Sequence, residues 1–510
     1  MLLYNDKLLE DMGGPVFLAI DLGASGGKAI VGILEDERLV VEEVDRFPNY
    51  MVKLHGSLYW DVLYLWQRIK DCLKIASKKY RSELVSVGID TWGVDFALLD
   101  SRGELIGNPH TYRDPRTEGV MDEVLERIPR RRIYERTGIQ FMRINTLYQL
   151  YSMVRNSSPQ LKIASTLLMI PDLFNYWLTG VKVAEYTEAS TTQFLDPRRK
   201  EWCIDILEDL GIPTYILPSI VEPATRLGPL LDSISEDIGV DGIEVVAPAT
   251  HDTASAIAAA PLVDRETGYV SSGTWSLVGV ELNEPLINDD ALNYNFTNEG
   301  GAFGTITFLR NVQGMWILEE VRRNLAERGY TYGYEELIDM AYRVEQPKAF
   351  IDPDDPRFLA PGNMIKEIND FIDETEQEKP SSIGELVRVI LESLALKYRL
   401  VFDQASHLIG RRLNRINIFG GGSRNWLLDQ LTADYTGIPV YAGPEEATSI
   451  GNILIQAAGL GYVDSLKDLR RIVRDSFHIR EYTPNTSSRH EESYQRFLEI
   501  ISKNIYSDDT

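Results

Sequence analysis

The sequence predicts an α/β protein of two domains, and three observations carry that expectation. Short apolar runs rich in β-branched residues alternate with helix-period segments along the chain, the pattern of strands separated by helices. At 510 residues the chain is too long for a single hydrophobic core. After Pro261 the opening pattern starts again, which suggests two related halves.

The first element is VFLAIDLGASGGKAIVGILE, residues 16–35: strand, glycine turn, strand, with Asp21 where the first strand ends. It is no Walker loop, because Ala24, Ser25 and Gly26 alone separate Gly23 from Gly27, and Ala29 follows Lys28 where Ser or Thr is needed. Nor does it open a helix as a dinucleotide fingerprint must, since KAIVGIL reads as a second strand. A helix, WDVLYLWQRIKDCLKIASKKY, follows, then the strand VSVGID and a short pair in WGVDFALLD. The helical middle includes INTLYQLYSMVRN and LFNYWLTG, and the strand IEVVAPA runs into THDTASAIAAA.

The restart, TGYVSSGTWSLVGVEL at residues 267–282, is again strand, small-residue turn, strand. A loop around IDPDDPRFLAPGN precedes a long amphipathic helix, IGELVRVILESLALKYRLVFDQASHLI. RINIFGGGSRNWLLDQLTADYTG then gives strand, three glycines and helix. The expected domains are residues 16–260 and 261–462, with a polar tail, 463–510, folded back as helix.

Composition bounds the function. The chain is 44% hydrophobic and 25% charged, ordinary for a globular protein. A net charge of −25 and a pI near 4.8 argue against nucleic acid or an anionic membrane as partner. Cys72 and Cys203 are the only cysteines and lie far apart, so no disulfide framework is expected. Six histidines without paired spacing make a zinc site a poor reading. MLLYNDKLLEDMGG lacks the zones of a signal peptide, and no run nears the ~20 apolar residues of a membrane span. The expected location is the cytoplasm.

Five stretches can carry chemistry. Glycines 23, 26 and 27 let phosphate oxygens approach backbone N–H groups, and Asp21 beside them suits a hard cation. An ordinary hairpin explains these residues equally well. SSGTW, residues 271–275, offers hydroxyls at the corresponding turn, though it also fits a plain turn. FGGGSRN, residues 419–425, is stronger, because capping by Ser423 or Asn425 leaves three glycines unexplained, whereas close approach of an adenosine accounts for them. THDTASA places Asp252 at a helix start, either as a cap or as a general base for a hydroxyl. His251 beside it suits a polyol contact or a buried core position. DTWGVDF, residues 90–96, fits a sugar wall or a hairpin with a core tryptophan.

Taken together and in this order, AIDLGASGGK, GIDTWGVDF, MIPDLFNYWLTG, THDTASA, SSGTWSL and FGGGSRNWLLDQLTAD resemble the FGGY family of carbohydrate kinases. The resemblance runs from about Val16 to Pro484. It implies two actin/hexokinase/Hsp70-like (ribonuclease H-like) α/β domains with the active site in the cleft between them. It also implies transfer of the ATP γ-phosphoryl group to a sugar hydroxyl, with Mg²⁺. IDTWGVDFALLD, YRDPRTEG, TGIQFMRINTLYQL, THDTASA, SSGTWSL and TNEGG resemble the stretches of those members of the family that act on L-rhamnulose. The resemblance implies its 1-hydroxyl as acceptor, with L-fuculose or D-xylulose as alternatives. An ATP-driven binding protein without sugar chemistry is the alternative from another class.

Carried over by position, Asp252 is the catalytic base, and Gly93, His251, Thr253 and Asn311 join it in binding sugar. Ala24, Ser25, Gly26, Gly27, Lys28, Thr274 and Gly421 bind ATP, and Asp21 is associated with the metal. Where related kinases can carry a glutamine that contacts ATP, this chain has Glu319, which cannot donate an amide hydrogen bond and is left out of the site. The implied partners are the small sugar and ATP, with the chain a monomer or homodimer.

Overall fold

The computed structural model describes residues 13–359 and 361–505. The expectation about a signal peptide therefore falls, apart from residues 13 and 14, outside the described residues. Two compact units interleave along the chain. One comprises residues up to Pro261 with Glu281–Phe308 and Glu446–Phe477; the other comprises Leu262–Val280, Leu309–Glu445 and the residues from His478 onward.

In the first unit a sheet runs in the order Thr225–Pro229, Glu244–Ala247, Leu84–Thr91, Val16–Leu22, Gly26–Glu35, Arg38–Pro48. Val16–Leu22 is buried along its whole length, which explains its unbroken apolar run. It pairs antiparallel with Gly26–Glu35 and parallel with Leu84–Thr91, setting Asp21 opposite both Lys28 and Asp90. The hairpin into Arg38–Pro48 turns at Asp36 and Glu37, both at positive φ, the geometry of the favoured hairpin turn. The Val62–Tyr80 helix starts where the Asp61 side chain accepts from Tyr64 N and buries Leu65, Ile69, Cys72, Leu73 and Ala76 at helical spacing.

Six strands of the second unit's sheet repeat the order: Arg480–Tyr482, Val440–Ala442, Arg415–Phe419, Thr267–Ser272, Trp275–Leu282, Ile306–Gln313. The senses recur as well. Thr267–Ser272 is antiparallel to Trp275–Leu282 and parallel to Arg415–Phe419, which is parallel to Val440–Ala442, itself antiparallel to Arg480–Tyr482. In the first unit Glu244–Ala247 is parallel to Leu84–Thr91 and antiparallel to Thr225–Pro229. The restart in the sequence is thus a repeated strand order and sense, although the edge strand Thr225–Pro229 precedes its neighbour in the chain and Arg480–Tyr482 follows its own.

The Ala447–Gly459 helix belongs to the first unit, where Gln456 Nε2 donates to Leu18 O (3.0 Å) and Ser86 Oγ donates to Gln456 Oε1 (2.6 Å). Gly451 allows its backbone to lie on the Asp252–Ala259 helix, since a Cβ there would overlap Ser255 O. Ile383–Ile409 is the long amphipathic helix, capped by Ser382 and ended by Gly410 at φ 67°. Beyond Gly461 the chain forms the helices Leu466–Ser476 and Ser488–Ile505. Cys72 and Cys203 are buried free thiols. Among the described residues no helix is long and apolar enough to cross a membrane.

Candidate active site

The sheet ends of the first unit gather carboxylates around one lysine. Lys28 Nζ lies 3.1 Å from Asp21 Oδ2 and 2.5 Å from Glu446 Oε2, and Arg46 Nη2 lies 3.5 Å from Glu446 Oε1. Burial works against the Lys28 ammonium, but Asp21 and Glu446 together hold its pKa above the ordinary value. Asp90 is buried and accepts from Asn452 Nδ2 (2.5 Å). Burial and the Asp21 charge raise its pKa well above the carboxylate range despite that hydrogen bond.

Asp252 opens the Asp252–Ala259 helix, whose N-cap residue, His251, makes no side-chain capping bond. The Asp252 carboxylate is 29% exposed, accepts from Thr253 Oγ1 at 3.1 Å, and sits where the helix dipole favours negative charge. Burial, then the Asp21 charge, push its pKa to about 7, the poise expected of a general base at neutral pH. The N-cap position itself is held by His251, and Asp252 is the first residue inside the helix, where its carboxylate also accepts from the Thr253 backbone.

His251 is 7% exposed, and burial lowers its pKa against the pull of Glu299. Its backbone is fixed by donation to Thr187 Oγ1 (3.2 Å). Thr187 in turn donates to Glu185, whose Oε2 also accepts from Thr250 N (3.0 Å) and Thr250 Oγ1 (2.7 Å). Glu185 thus holds the loop that presents residues 250–253. Behind it, Glu188 is buried with neither carboxylate oxygen hydrogen-bonded. Burial and the nearby Asp172, Asp252 and Glu185 raise its pKa well above the usual range.

Gly93 lies against this loop: a Cβ there would stand 3.0 Å from Thr191 Cγ2 and 3.3 Å from His251 Nε2. Its neighbour Trp92 is core, as the hairpin reading had it, being 5% exposed and packed on Trp60 with ring centroids 4.3 Å apart. Asp95 is consumed structurally. It accepts from Trp60 Nε1 (2.6 Å), Trp92 Nε1 (3.0 Å), Gln149 Nε2 (2.9 Å) and Tyr112 N (3.1 Å).

The glycine turn closes with Gly23 N donating to Gly26 O at 2.9 Å, braced by Asn49 Nδ2 on Gly23 O at 3.0 Å. Gly27 has a packing reason of its own, because a Cβ there would enter the Phe47 ring. Ala24 and Ser25 form the outer part of the turn, with Ser25 exposed.

Thr274, Asn311 and Gly421 belong to the second unit. Thr274 O accepts from Gly314 N and Trp316 N, each at 3.2 Å, and Asn311 is half-buried in the strand Ile306–Gln313. The three glycines now separate by role. Gly420 adopts φ 83°, and a Cβ on Gly422 would overlap Ser272 Oγ. A Cβ on Gly421 would meet no described heavy atom within 4 Å. Backbone with open space in front of it is what a ligand needs. Asn425, through its bond from Leu428 N (3.1 Å), is the cap of the Trp426–Thr436 helix. Glu319 is exposed and pairs with Arg322 at 2.6 Å.

A magnesium ion fits the first-unit cluster. Asp21, Asp90 and Asp252 repel one another electrically, with Lys28 as the cation among them, and Asp90 Oδ1 is buried without a hydrogen bond. Among the described residues no three His, Cys, Asp or Glu side chains could hold a metal by themselves. Mg²⁺ keeps several waters and binds through one or two carboxylates plus substrate phosphates, and Asp21 and Asp90, opposite each other in the sheet, are the carboxylates present for it. Sequence reasoning missed Glu446, Asn452, Glu185 and Thr187, because nothing local marks them.

This fold and these residues place the chain in a class: it belongs to the FGGY family of carbohydrate kinases, whose N-terminal domain matches residues 16–258 and C-terminal domain residues 268–460. The chain is a sugar kinase that uses ATP with Mg²⁺. Among curated proteins it is 44% identical to the rhamnulokinase of Halalkalibacterium halodurans over 465 residues, 91% of this chain and 98% of the relative. It is 41% identical to the rhamnulokinase of Bacteroides thetaiotaomicron over 485 residues, 95% and 99% of the two chains. Its fold is shared with the xylulose kinase of Lactobacillus acidophilus (TM-score 0.78, 16% identity, 97% and 98% covered). The glycerol kinase of Plasmodium falciparum with ADP also shares it (TM-score 0.77, 15% identity, 97% and 98% covered).

Proposed function

We propose that the chain phosphorylates L-rhamnulose at its 1-hydroxyl, giving L-rhamnulose 1-phosphate and ADP. The observation that carries the reading is identity of 44% and 41% to curated rhamnulokinases along nearly the whole chain. Asp252 is the general base: its raised pKa lets it hold the hydroxyl proton as the sugar oxygen–phosphorus bond forms and the bond from Pγ to the bridging oxygen breaks toward ADP. Gly93, His251, Thr253 and Asn311 bind the sugar with it, the missing Cβ of Gly93 keeping clear the space beside His251 Nε2.

Ala24, Ser25, Gly26, Gly27, Lys28, Thr274 and Gly421 bind ATP. Asp21 is the carboxylate for the metal, with Lys28 as its counter-charge until then. When bound, Mg²⁺ supplies neutralisation of phosphate charge. Glu446 anchors the Lys28 ammonium and Glu185 holds the 250–253 loop, so the protein's part is mainly positioning.

In this reading residues 16–260 carry the sugar site, phosphate turn and base, residues 261–462 carry the rest of the nucleotide site, and 463–510 form the tail. The enzyme works in the cytoplasm as a monomer or homodimer, without nucleic acid or membrane.

ADP release measured over L-rhamnulose, L-fuculose, D-xylulose, L-ribulose and glycerol tests the proposal. The expected result is a kcat/KM for L-rhamnulose well above the others; a higher value for any other acceptor overturns the assignment.

A further inference from the structure

One buried carboxylate beside the base has no part in the chemistry above. Glu299, in the strand Thr297–Gly300, is 5% exposed, and its Oε2 lies 3.6 Å from His251 Nδ1. Across the same ring, His251 Nε2 lies 3.6 Å from Asp252 Oδ1. The imidazole therefore stands between the general base and a second carboxylate. Each distance is a few tenths of an ångström beyond hydrogen-bond length, as catalytic contacts often are before substrate binds.

Both sides of the ring are held. Gly300 N donates to Ser190 Oγ at 2.8 Å, and a Cβ on Gly300 would stand 2.5 Å from the Tyr186 ring, so the strand lies directly on the Tyr186–Ser190 helix. Asn298 ties the same strand down, accepting from Leu286 N (2.6 Å) and donating to Gly138 O (3.1 Å). The histidine backbone is fixed by Thr187, as described.

A neutral imidazole has one N–H and one lone pair, and an ionised carboxylate only accepts. Both ring nitrogens face a carboxylate at 3.6 Å, but the Glu299 side chain is 7% exposed and that of Asp252 29%. The charge less screened by water, Glu299, therefore draws the proton to the nitrogen that faces it. Burial keeps the ring neutral in spite of Glu299.

We propose that Glu299 is a positioning residue that fixes His251 as the Nδ1–H tautomer, so that Nε2 turns a lone pair toward Asp252 and the space left by Gly93. The proton balance follows. Asp252 takes the sugar hydroxyl proton, and the resulting Asp252 O–H donates to His251 Nε2. That hydrogen bond exists only once the base has been protonated, so it strengthens as transfer proceeds. After product leaves, the proton passes to water. The proposal rests on Asp252 as base; the identity of the sugar does not enter it.

Nitrogen-15 spectra of histidine-labelled enzyme test it without turnover, with the His251 signals assigned by His251→Gln. In wild type at pH 8 the expected tautomer is Nδ1–H; an Nε2–H ring or an imidazolium overturns the proposal whether or not any variant folds. In Glu299→Gln the tautomer is expected to shift toward Nε2–H. There kcat should fall about 10–100-fold, the range for groups that orient a functional histidine, with the KM for ATP unchanged. An unaltered tautomer or an unaltered kcat in that variant also overturns it. Failure of the L-rhamnulose assignment would appear in the substrate panel and leave the wild-type spectrum as it is.

Discussion

The two hairpins at the sheet centres share a backbone and differ in charge. In the first unit Asp21 faces Lys28 on one side and Asp90 on the other. At the same ladder position of the second unit, Ser271 faces Leu277 and Phe419. The turns differ too, with residues 23–26 between the last paired residues in one and 273–275 in the other. One fold therefore carries two different sets of side chains at its strand ends. In the proposed function the carboxylates of the first hairpin serve the metal and the base beside a glycine turn for phosphate, whereas the second hairpin and the glycines after Phe419 serve the nucleotide alone.

The comparison breaks most sharply at Asp252. Asp252→Asn is expected to lower kcat about 10²–10⁴-fold, the usual worth of a general base, while calorimetry still shows sugar and ATP binding. A near-normal kcat would move the chemistry elsewhere. Next in size, Asp21→Asn should raise the Mg²⁺ concentration for half-maximal activity about 10–100-fold, whereas Ser271→Ala in the second hairpin should leave it unchanged; Mg²⁺ titrations of both variants check this.

The pH profile sharpens the contrast further. Burial and Asp21 raise Asp252 to about 7, and a base works deprotonated. So in the Mg²⁺-free enzyme Asp252 should lose its proton near pH 7, read by carbon-13 NMR of the labelled carboxylate, rather than near the ordinary aspartate value of about 3.9. With Mg²⁺, kcat/KM should fall toward low pH as the base is protonated, at a lower pH because the cation offsets the Asp21 charge. A carbon-13 midpoint near the ordinary aspartate value in the Mg²⁺-free enzyme would contradict the raised value. The smallest effects are expected among the glycines of the second unit. Gly421→Val should keep the folding midpoint and raise the KM for ATP about tenfold, equivalent to roughly 1.4 kcal/mol. Gly422→Ala should instead cost about 1–3 kcal/mol of stability through overpacking on Ser272, read from denaturant midpoints.

The motif-bearing strands and helices were legible because each carries its own signal: an apolar run ending in Asp21, three glycines between strand and helix, an alanine-rich helix after Asp252. Arg38–Pro48 was not, since this edge strand is mostly half-exposed and carries Arg38, Glu42, Glu43, Asp45 and Arg46. The interleaving of the units was equally hidden. Ala447–Gly459 returns to the first sheet through Asn452 and Gln456, whose partners Asp90 and Leu18 lie 362 and 438 residues away, and no local pattern reports such a distance. In the candidate site the turn and THDT residues could be named, but Glu446 and Glu185 act only through neighbours that folding brings to them. Trp92 shows the opposite limit: its composition suited a sugar wall, and the fold uses it as core.

The Ala447–Gly459 helix also sets an order of assembly. It lies on the strands Val16–Leu22, Gly26–Glu35 and Leu84–Thr91 and on the helix that begins with Asp252. On the ribosome, synthesis at about 5–20 residues per second puts on the order of ten to forty seconds between that helix and the segment that covers it. Throughout that wait the strands and the Asp252–Ala259 helix lack this one packing partner in the nascent chain. The half of the enzyme made first is therefore completed nearly last.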